Sequence, residues 1–289
     1  MIPILFNTAS RRAVVALHTL TLAGAIALAT QAIGEEVPFV TSPDNVTLEM
    51  LNVGGVKRGD HVLDLGSGDG RIVILAAKRF GATGLGVEID PALVRVSNTH
   101  ARNAGVAQRA VFREQDLFKT DLSGATVITM YLLPEVNLQL RPALLALKPG
   151  TRLVSHDWDM GDWAPDRTTI LPVPDKKVGL EKSSKVHLWL VPARVDGLWC
   201  GPRSGPRADT TLRFVQKYQT ITGTLAWRDR SAGFVGQVGG SEIRALGGRH
   251  GALVLHARGD GELRVASSRG ELALAPAQTF MRASADTCR

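Results

Sequence analysis

The sequence predicts an α/β fold, a doubly wound and mostly parallel sheet, followed by a small C-terminal antiparallel β domain. Three observations carry this. From Pro38 onward, short apolar runs alternate with helical stretches, the pattern of strands joined by crossover helices. A glycine loop, Gly66-Ser67-Gly68-Asp69-Gly70, lies between one such run and the next helix. After Val195 the chain holds 14 of its 30 glycines, and segments such as Thr211-Leu212-Arg213-Phe214-Val215 alternate apolar with polar residues as half-buried strands do.

Composition sets the bounds. The 289 residues are 44% apolar and 21% charged with two cysteines, which excludes collagen, coiled coil and disulfide scaffold and leaves a chain able to bury a sizeable core. The net charge of +7 is unevenly spread: 21 Lys+Arg face 19 Asp+Glu over residues 1–194, and 13 face 8 over 195–289. No run of Lys or Arg exceeds two residues, so the excess reads as a solvated, mildly basic surface and no nucleic-acid partner is expected.

Residues 1–34 stand apart from the fold. Arg11 and Arg12 precede an uncharged Ala- and Leu-rich stretch, 13–32, and Ala27-Leu28-Ala29 offers a cleavage site. Its length is near the roughly 20 residues that span a bilayer, so a cleaved export signal and a retained membrane anchor are both open. Ser10-Arg11-Arg12 is a loose match to a twin-arginine address.

Next come the elements of the α/β region, 35–194. His61 to Leu65 reads as the first strand, Arg71 to Arg79 as a helix, and Gly84 to Glu88 as the second strand. Pro91 to Ala104 is a helix with proline in its first turn, and Ala110 to Glu114 is the third strand. Thr126 to Met130, the helix Glu135 to Leu147, the stop Lys148-Pro149-Gly150 and the strand Thr151 to Ser155 follow, with a later strand within Val186 to Val191. In residues 195–289, turns at Gly239-Gly240 and Gly247-Gly248 divide short strands into a meander or small barrel. Cys200 and Cys288 flank this region, either joined or as two buried thiols.

The chemistry concentrates at strand ends. Gly66, Gly68 and Gly70 let backbone amides approach a ligand where a strand gives way to a helix. The third glycine comes one residue too early for the nicotinamide-binding spacing, and Asp64 and Asp69 would repel a pyrophosphate while tolerating a cationic cofactor. Glu88 closes the second strand, placed to accept from both ribose hydroxyls of an adenosine. Asp116 follows the third strand, placed for the adenine amino group, with Leu117 and Phe118 as apolar walls.

These residues carry a resemblance. Over about residues 38–192 the chain resembles a class I, seven-strand, Rossmann-like S-adenosylmethionine-dependent methyltransferase. The segments Pro38-Phe39-Val40-Thr41-Ser42-Pro43, Asp64 to Ile74 and Gly86-Val87-Glu88 narrow it further. They resemble the protein-lysine methyltransferases of mitochondrial inner-membrane proteins, the type acting on the c-ring protein of ATP synthase and on the adenine nucleotide translocase, with their bacterial relatives. The resemblance implies S-adenosyl-L-methionine as cofactor, held by Thr41, Pro43, Asp64, Gly66, Ser67, Gly68, Gly70, Glu88, Asp116 and Leu117. It also implies a lysine side chain as leading acceptor and a protein substrate, with a membrane protein as one candidate. After the fourth strand the chain reads Met130-Tyr131-Leu132-Leu133-Pro134-Glu135-Val136-Asn137, where many amine-modifying enzymes of the class carry N-P-P-Y or N-P-P-F. The C-terminal β domain lies outside the resemblance.

Methyl transfer from a sulfonium needs chiefly alignment, and a lysine amine must arrive neutral. Tyr131 and Asn137 are placed to orient it, and His156 or Asp157, after the fifth strand, to relay the released proton, with Trp158 lining a channel. No ligand spacing supports a metal site, and Gly66-Ser67-Gly68 is not a hydrolase elbow. Two alternatives stay open: a small-molecule or lipid methyltransferase, and a non-catalytic envelope binding protein that retains the pocket. Location is expected to be inner-membrane-associated or exported, with catalysis favoured on the cytoplasmic face, where the cofactor is made.

Overall fold

The computed structural model describes residues 40–177, 180–203, 208–248 and 250–288. The predicted signal or anchor, 1–34, lies outside them. Among the described residues no helix is long and apolar enough to cross a membrane.

The first helix, α1 (Asp44–Val53), was not expected, yet Val46, Met50 and Val53 recur at helical spacing and all are buried. Polar Asn45, Thr47 and Asn52 between them dilute the apolar signal. Next come β1 (His61–Leu65), α2 (Arg71–Leu75), β2 (Thr83–Glu88), α3 (Pro91–Asn103), β3 (Ala110–Glu114), β4 (Val127–Met130), α4 (Pro134–Leu145) and β5 (Arg152–His156). The helix expected over Arg71 to Arg79 is α2 continued by one wider, π-type turn, Ala76–Phe80, which ends at Gly81 with φ +69°. A hairpin, β6 (Arg167–Pro172) with β7 (Ser183–Leu190), completes the sheet.

The sheet order is β3-β2-β1-β4-β5-β7-β6, with the first five strands parallel and β7 antiparallel to both neighbours. The order in which strands are added reverses between the parallel neighbours β1 and β4, so their carboxyl ends open a crevice where ligands bind in folds of this kind. Side-chain alternation builds a core on each face. Val62, Val127 and Val154 pack with α1 and α2, whereas Leu63, Ile128 and Leu153 pack with Leu140 and Leu144 of α4.

The remaining strands are β8 (Gly197–Cys200), β9 (Thr211–Lys217), β10 (Thr220–Trp227), β11 (Arg230–Gly239), β12 (Glu242–Gly247), β13 (Ala252–Arg258), β14 (Glu262–Arg269) and β15 (Thr279–Arg282). Each pairs antiparallel with the next, and β15 returns to β8, so the meander closes into an eight-stranded barrel without edges. Inward residues such as Trp199, Leu212, Phe214, Ile243, Leu255 and Phe280 fill it, while Arg213, Lys217 and Arg244 face out. Cys200 and Cys288 form a disulfide with Cα atoms 5.6 Å apart.

The barrel contacts the loop after β5. Trp163 is fully buried and stacks on Tyr218 at 5.9 Å between ring centres, while Asp162 accepts from Tyr218 Oη at 2.9 Å and pairs with Lys217 and with Arg141 of α4. Gln219 Nε2 donates to Ala164 O at 2.6 Å.

Candidate active site

The site begins where β1 ends. Gly66 and Gly70 sit at φ +73° and +83°, the left-handed region that L side chains avoid. A Cβ at Gly70 would also lie 2.6 Å from the Phe112 ring, and one at Gly66 2.9 Å from Leu132 Cδ2. The loop is tied to the next strand: the amides of Gly66 and Ser67 both donate to Val87 O, at 3.0 and 2.9 Å. Ser67 Oγ is buried without a hydrogen-bond partner among the described residues.

Glu88 holds three backbone donors. Its Oε2 accepts from Gly68 N at 2.9 Å, and its Oε1 from Ile89 N at 2.8 Å and Asp90 N at 3.1 Å. The carboxylate therefore splints the glycine loop to the end of β2. Of its roughly four acceptor sites one stays open, on Oε2, so a two-point grip on a ribose diol requires it to turn from the Ile89 and Asp90 amides. Asp116 also has protein partners: Oδ1 accepts from Phe118 N at 2.9 Å, and Lys119 Nζ lies 3.4 Å from Oδ2. Gln115 N donates to Glu88 O at 2.8 Å, which brings the two strand ends together. Two apolar side chains stand open there, Ile89 at 69% and Phe118 at 46% exposure, with Leu117 half-buried between Asp116 and Phe118. Ile89 was not singled out from sequence, although a bulky aliphatic residue after a strand-end acid is the available signal.

Electrostatics discriminates among the acids. Asp69 is neutralised by Arg71, whose Nη2 and Nε lie 2.7 and 3.0 Å from its two oxygens, and Arg71 Nη1 donates to Ser42 O at 2.8 Å. The repulsion expected from Asp69 is thus largely cancelled. Asp64 is different. It is 2% exposed and has one hydrogen-bond donor, Thr129 Oγ1 at 2.6 Å from Oδ1. Burial pushes its carboxyl up to about 8, Thr129 opposes this, and the charges of Glu88 and Asp69 add to it. A cation above the strand end would reverse that penalty. A buried carboxyl with no counter-ion and a Ser67 hydroxyl with no partner among the described residues, together with two open apolar side chains at adjacent strand ends, fit a cationic adenosine derivative.

The acceptor side lies across β4 and β5. A cavity of about 580 Å³ is lined by Thr41 and Pro43, which the resemblance assigns to the donor, by Tyr131 and His156, and by residues 173–177 after β6. Tyr131 stacks on His156 with ring centres 3.9 Å apart. His156 is 1% exposed and hydrogen-bonds through Nδ1 to Ser42 Oγ at 2.8 Å and through Nε2 to Ser184 Oγ at 3.0 Å. Burial holds its pKa down to about 4 against the pull of Asp157, so the ring is neutral and both nitrogens are engaged. This geometry makes it a bridge between three segments and leaves no free nitrogen for the relay expected of it. Asp157 is occupied by Lys176 Nζ at 2.8 Å. Asn137 is fully buried outside the cavity lining; its Nδ2 donates to Trp158 O and Asp159 O, both at 3.3 Å, and braces the loop after β5. Ser184 and Lys176 belong to no motif and carry no signal in the sequence, whereas Ser42 lies within the Pro38 to Pro43 segment that carries the resemblance. Among the described residues no group of three or more metal-binding side chains comes together.

The family model of the ANTKMT methyltransferase domain matches residues 64–167. A protein-lysine N-methyltransferase of Saccharolobus islandicus is 44% identical over 131 residues, which cover 45% of this chain and 81% of that protein. The adenine nucleotide translocase lysine N-methyltransferase of Mus musculus is 33% identical over 133 residues, 45% of this chain, and the chain spans little more than half, 57%, of its length. Among solved structures, an RNA methyltransferase from Salinibacter ruber in complex with S-adenosyl-L-homocysteine is 50% identical, with 54% of this chain and 96% of that chain covered at a TM-score of 0.49. With 81% of the Saccharolobus islandicus enzyme's length spanned at 44% identity, this chain belongs to the same methyltransferase family as that protein-lysine N-methyltransferase.

Proposed function

We propose that the protein transfers a methyl group from S-adenosylmethionine to the side-chain amine of lysine in a protein substrate. The observation that carries the acceptor is the 44% identity to an archaeal protein-lysine N-methyltransferase, and the buried, uncompensated Asp64 at the switch point of the sheet supports the donor. The donor supplies a methyl group already activated on a cationic sulfur, so the chain's own work is placement. Asp64 offers negative charge below the donor, Glu88 and Asp116 offer acceptors at two strand ends, and Ile89 and Phe118 offer apolar cover.

On the acceptor side, burial and the neighbouring Asp157 raise the pKa of Tyr131. Its phenol stays neutral and can accept a hydrogen bond from an amine, while the His156 stack fixes its ring. A lysine amine between this wall and the donor sheds its proton before transfer, which burial beside a cation favours.

Incubation of the full chain with methyl-labelled S-adenosylmethionine and an envelope extract tests the reading. Label in protein bands that survives ribonuclease and disappears with protease supports it. Label only in the organic extract supports a lipid or small-molecule acceptor, and cofactor binding without turnover supports a binding protein.

A further inference from the structure

We infer that the Lys176–Asp157 ion pair is a positioning latch that seats residues 173–177, after β6, as one wall of the acceptor cavity. The inference rests on the proposed acceptor reading and concerns two residues outside the donor crevice.

Asp157 follows β5 in the left-handed region, at φ +62°, a conformation that aspartate tolerates better than most residues. That turn spends the whole residue on the neighbouring hairpin. Its amide donates to Lys185 O at 2.7 Å and its Oδ1 accepts from Lys185 N at 2.9 Å. Its Oδ2 receives Lys176 Nζ at 2.8 Å, the two side chains being 14% and 12% exposed. Lys176 Nζ also donates to Ser183 O at 2.7 Å, so one ammonium joins the loop, the start of β7 and the end of β5. From the other side Asn45 Nδ2 donates to Pro172 O at 3.1 Å. Val173, Pro174, Asp175, Lys176 and Lys177 thereby face Val40, Thr41, Pro43 and Asn45 across a cavity that also reaches Tyr131 and His156. The glycine loop, Glu88 and Asp116 are not in that lining. A half-buried ion pair that loses one partner leaves the other charge uncompensated, and the segment moves to hydrate it. The latch therefore acts on the acceptor cavity, whose Thr41 and Pro43 wall is its one link to the donor, and leaves the glycine loop, Glu88 and Asp116 alone.

The test combines Lys176→Met, Lys176→Arg and the double variant Asp157→Asn with Lys176→Met in the full chain. Thermal unfolding confirms that each is folded. Expected for Lys176→Met are a rise of about tenfold in acceptor KM, a smaller change in kcat, wild-type affinity for S-adenosylhomocysteine, and faster amide exchange at Val173–Lys177. Lys176→Arg recovers most of the KM, and the double variant is no worse than Lys176→Met, because the two residues act as one unit. Unchanged exchange at Val173–Lys177, or unchanged acceptor KM with active enzyme, overturns the latch. A wild type that methylates no lysine, with exchange still faster in Lys176→Met, overturns the acceptor reading instead.

Discussion

Replacing Asp64 by asparagine isolates the charge at the centre of the site. The carboxyl is 2% exposed and raised from the ordinary 3.8 to about 8, chiefly by burial. A carboxyl whose folded-state pKa lies above its unfolded value is stabilising only while protonated. Its contribution is intact below pH 4 and is lost as pH rises from about 4 to 8, at about 1.4 kcal/mol per pH unit. At pH 7 the accumulated loss is about 4 kcal/mol. Asparagine keeps the shape, can accept from Thr129 and never ionises, so Asp64→Asn raises the stability of the ligand-free protein at pH 7 by up to that amount. At roughly 2–4 °C per kcal/mol for a chain of this size, the midpoint rises by about 10 °C.

Binding moves the other way. A donor cation beside Asp64 pulls the carboxyl back down by roughly 1–3 units, so the wild type releases about 0.4 to 0.9 proton from this site on binding S-adenosylmethionine at pH 7. Calorimetry in buffers of different ionisation enthalpy reads this number directly. The asparagine variant releases none from this site and binds more weakly, with the loss larger for S-adenosylmethionine than for S-adenosylhomocysteine, whose sulfur is neutral. A wild type that releases no proton, or a variant no more stable than wild type at pH 7, refutes the assignment of Asp64 as an uncompensated buried acid.

Further outcomes follow from particular contacts. Glu88→Ala removes the splint on the Gly68, Ile89 and Asp90 amides as well as a donor contact; at roughly 1.5–3 kcal/mol for each charge-assisted hydrogen bond, S-adenosylhomocysteine affinity falls at least tenfold in calorimetry, and equal affinities remove Glu88 from the site. Gly70→Ala forces a Cβ to within 2.6 Å of Phe112 at a left-handed φ, and thermal unfolding should show a loss of about 2 kcal/mol or more; an unchanged midpoint contradicts the loop geometry. Reduction of Cys200–Cys288, which are 88 residues apart, lowers the barrel's stability by up to about 4.6 kcal/mol on the chain-entropy account, read as a shifted unfolding midpoint in reductant. Peptide mapping of the protein from its native source should recover the linked pair; two free thiols there would place the barrel in a reducing compartment.

What the sequence revealed, and what it concealed, has a physical pattern. The strand-end acids and the glycine loop were legible because a parallel sheet fixes its ligand contacts at the carboxyl ends of strands, positions that hydropathy alternation locates to within a residue. The edge strand β6, Arg-Thr-Thr-Ile-Leu-Pro, was not, because it buries little on either face and lacks a clear period. Barrel closure depends on Cys200 meeting Met281 and Trp199 meeting Arg282, pairings across about 80 residues to which no local signal points. On the acceptor side, the sequence points to Tyr131 and His156, but the bonds that hold His156 run to Ser42, whose motif does not specify this contact, and to Ser184, indistinguishable in sequence from any surface serine. Asp157 was read as a proton relay because His-Asp adjacency suggests one; the left-handed turn that points it at Lys176 shows only in three dimensions.

The central claim is that the crevice above β1, β2 and β3 holds an adenosine joined to a cationic sulfur. A crystal structure of the full chain soaked with S-adenosylmethionine tests it most directly. The account predicts the adenine between Ile89 and Phe118 near Asp116, the ribose on Glu88, and the sulfur over Gly66 beside Asp64. Ligand seated instead wholly in the cavity of Thr41, Tyr131 and Lys176, with the crevice filled by the chain's own side chains, would contradict it.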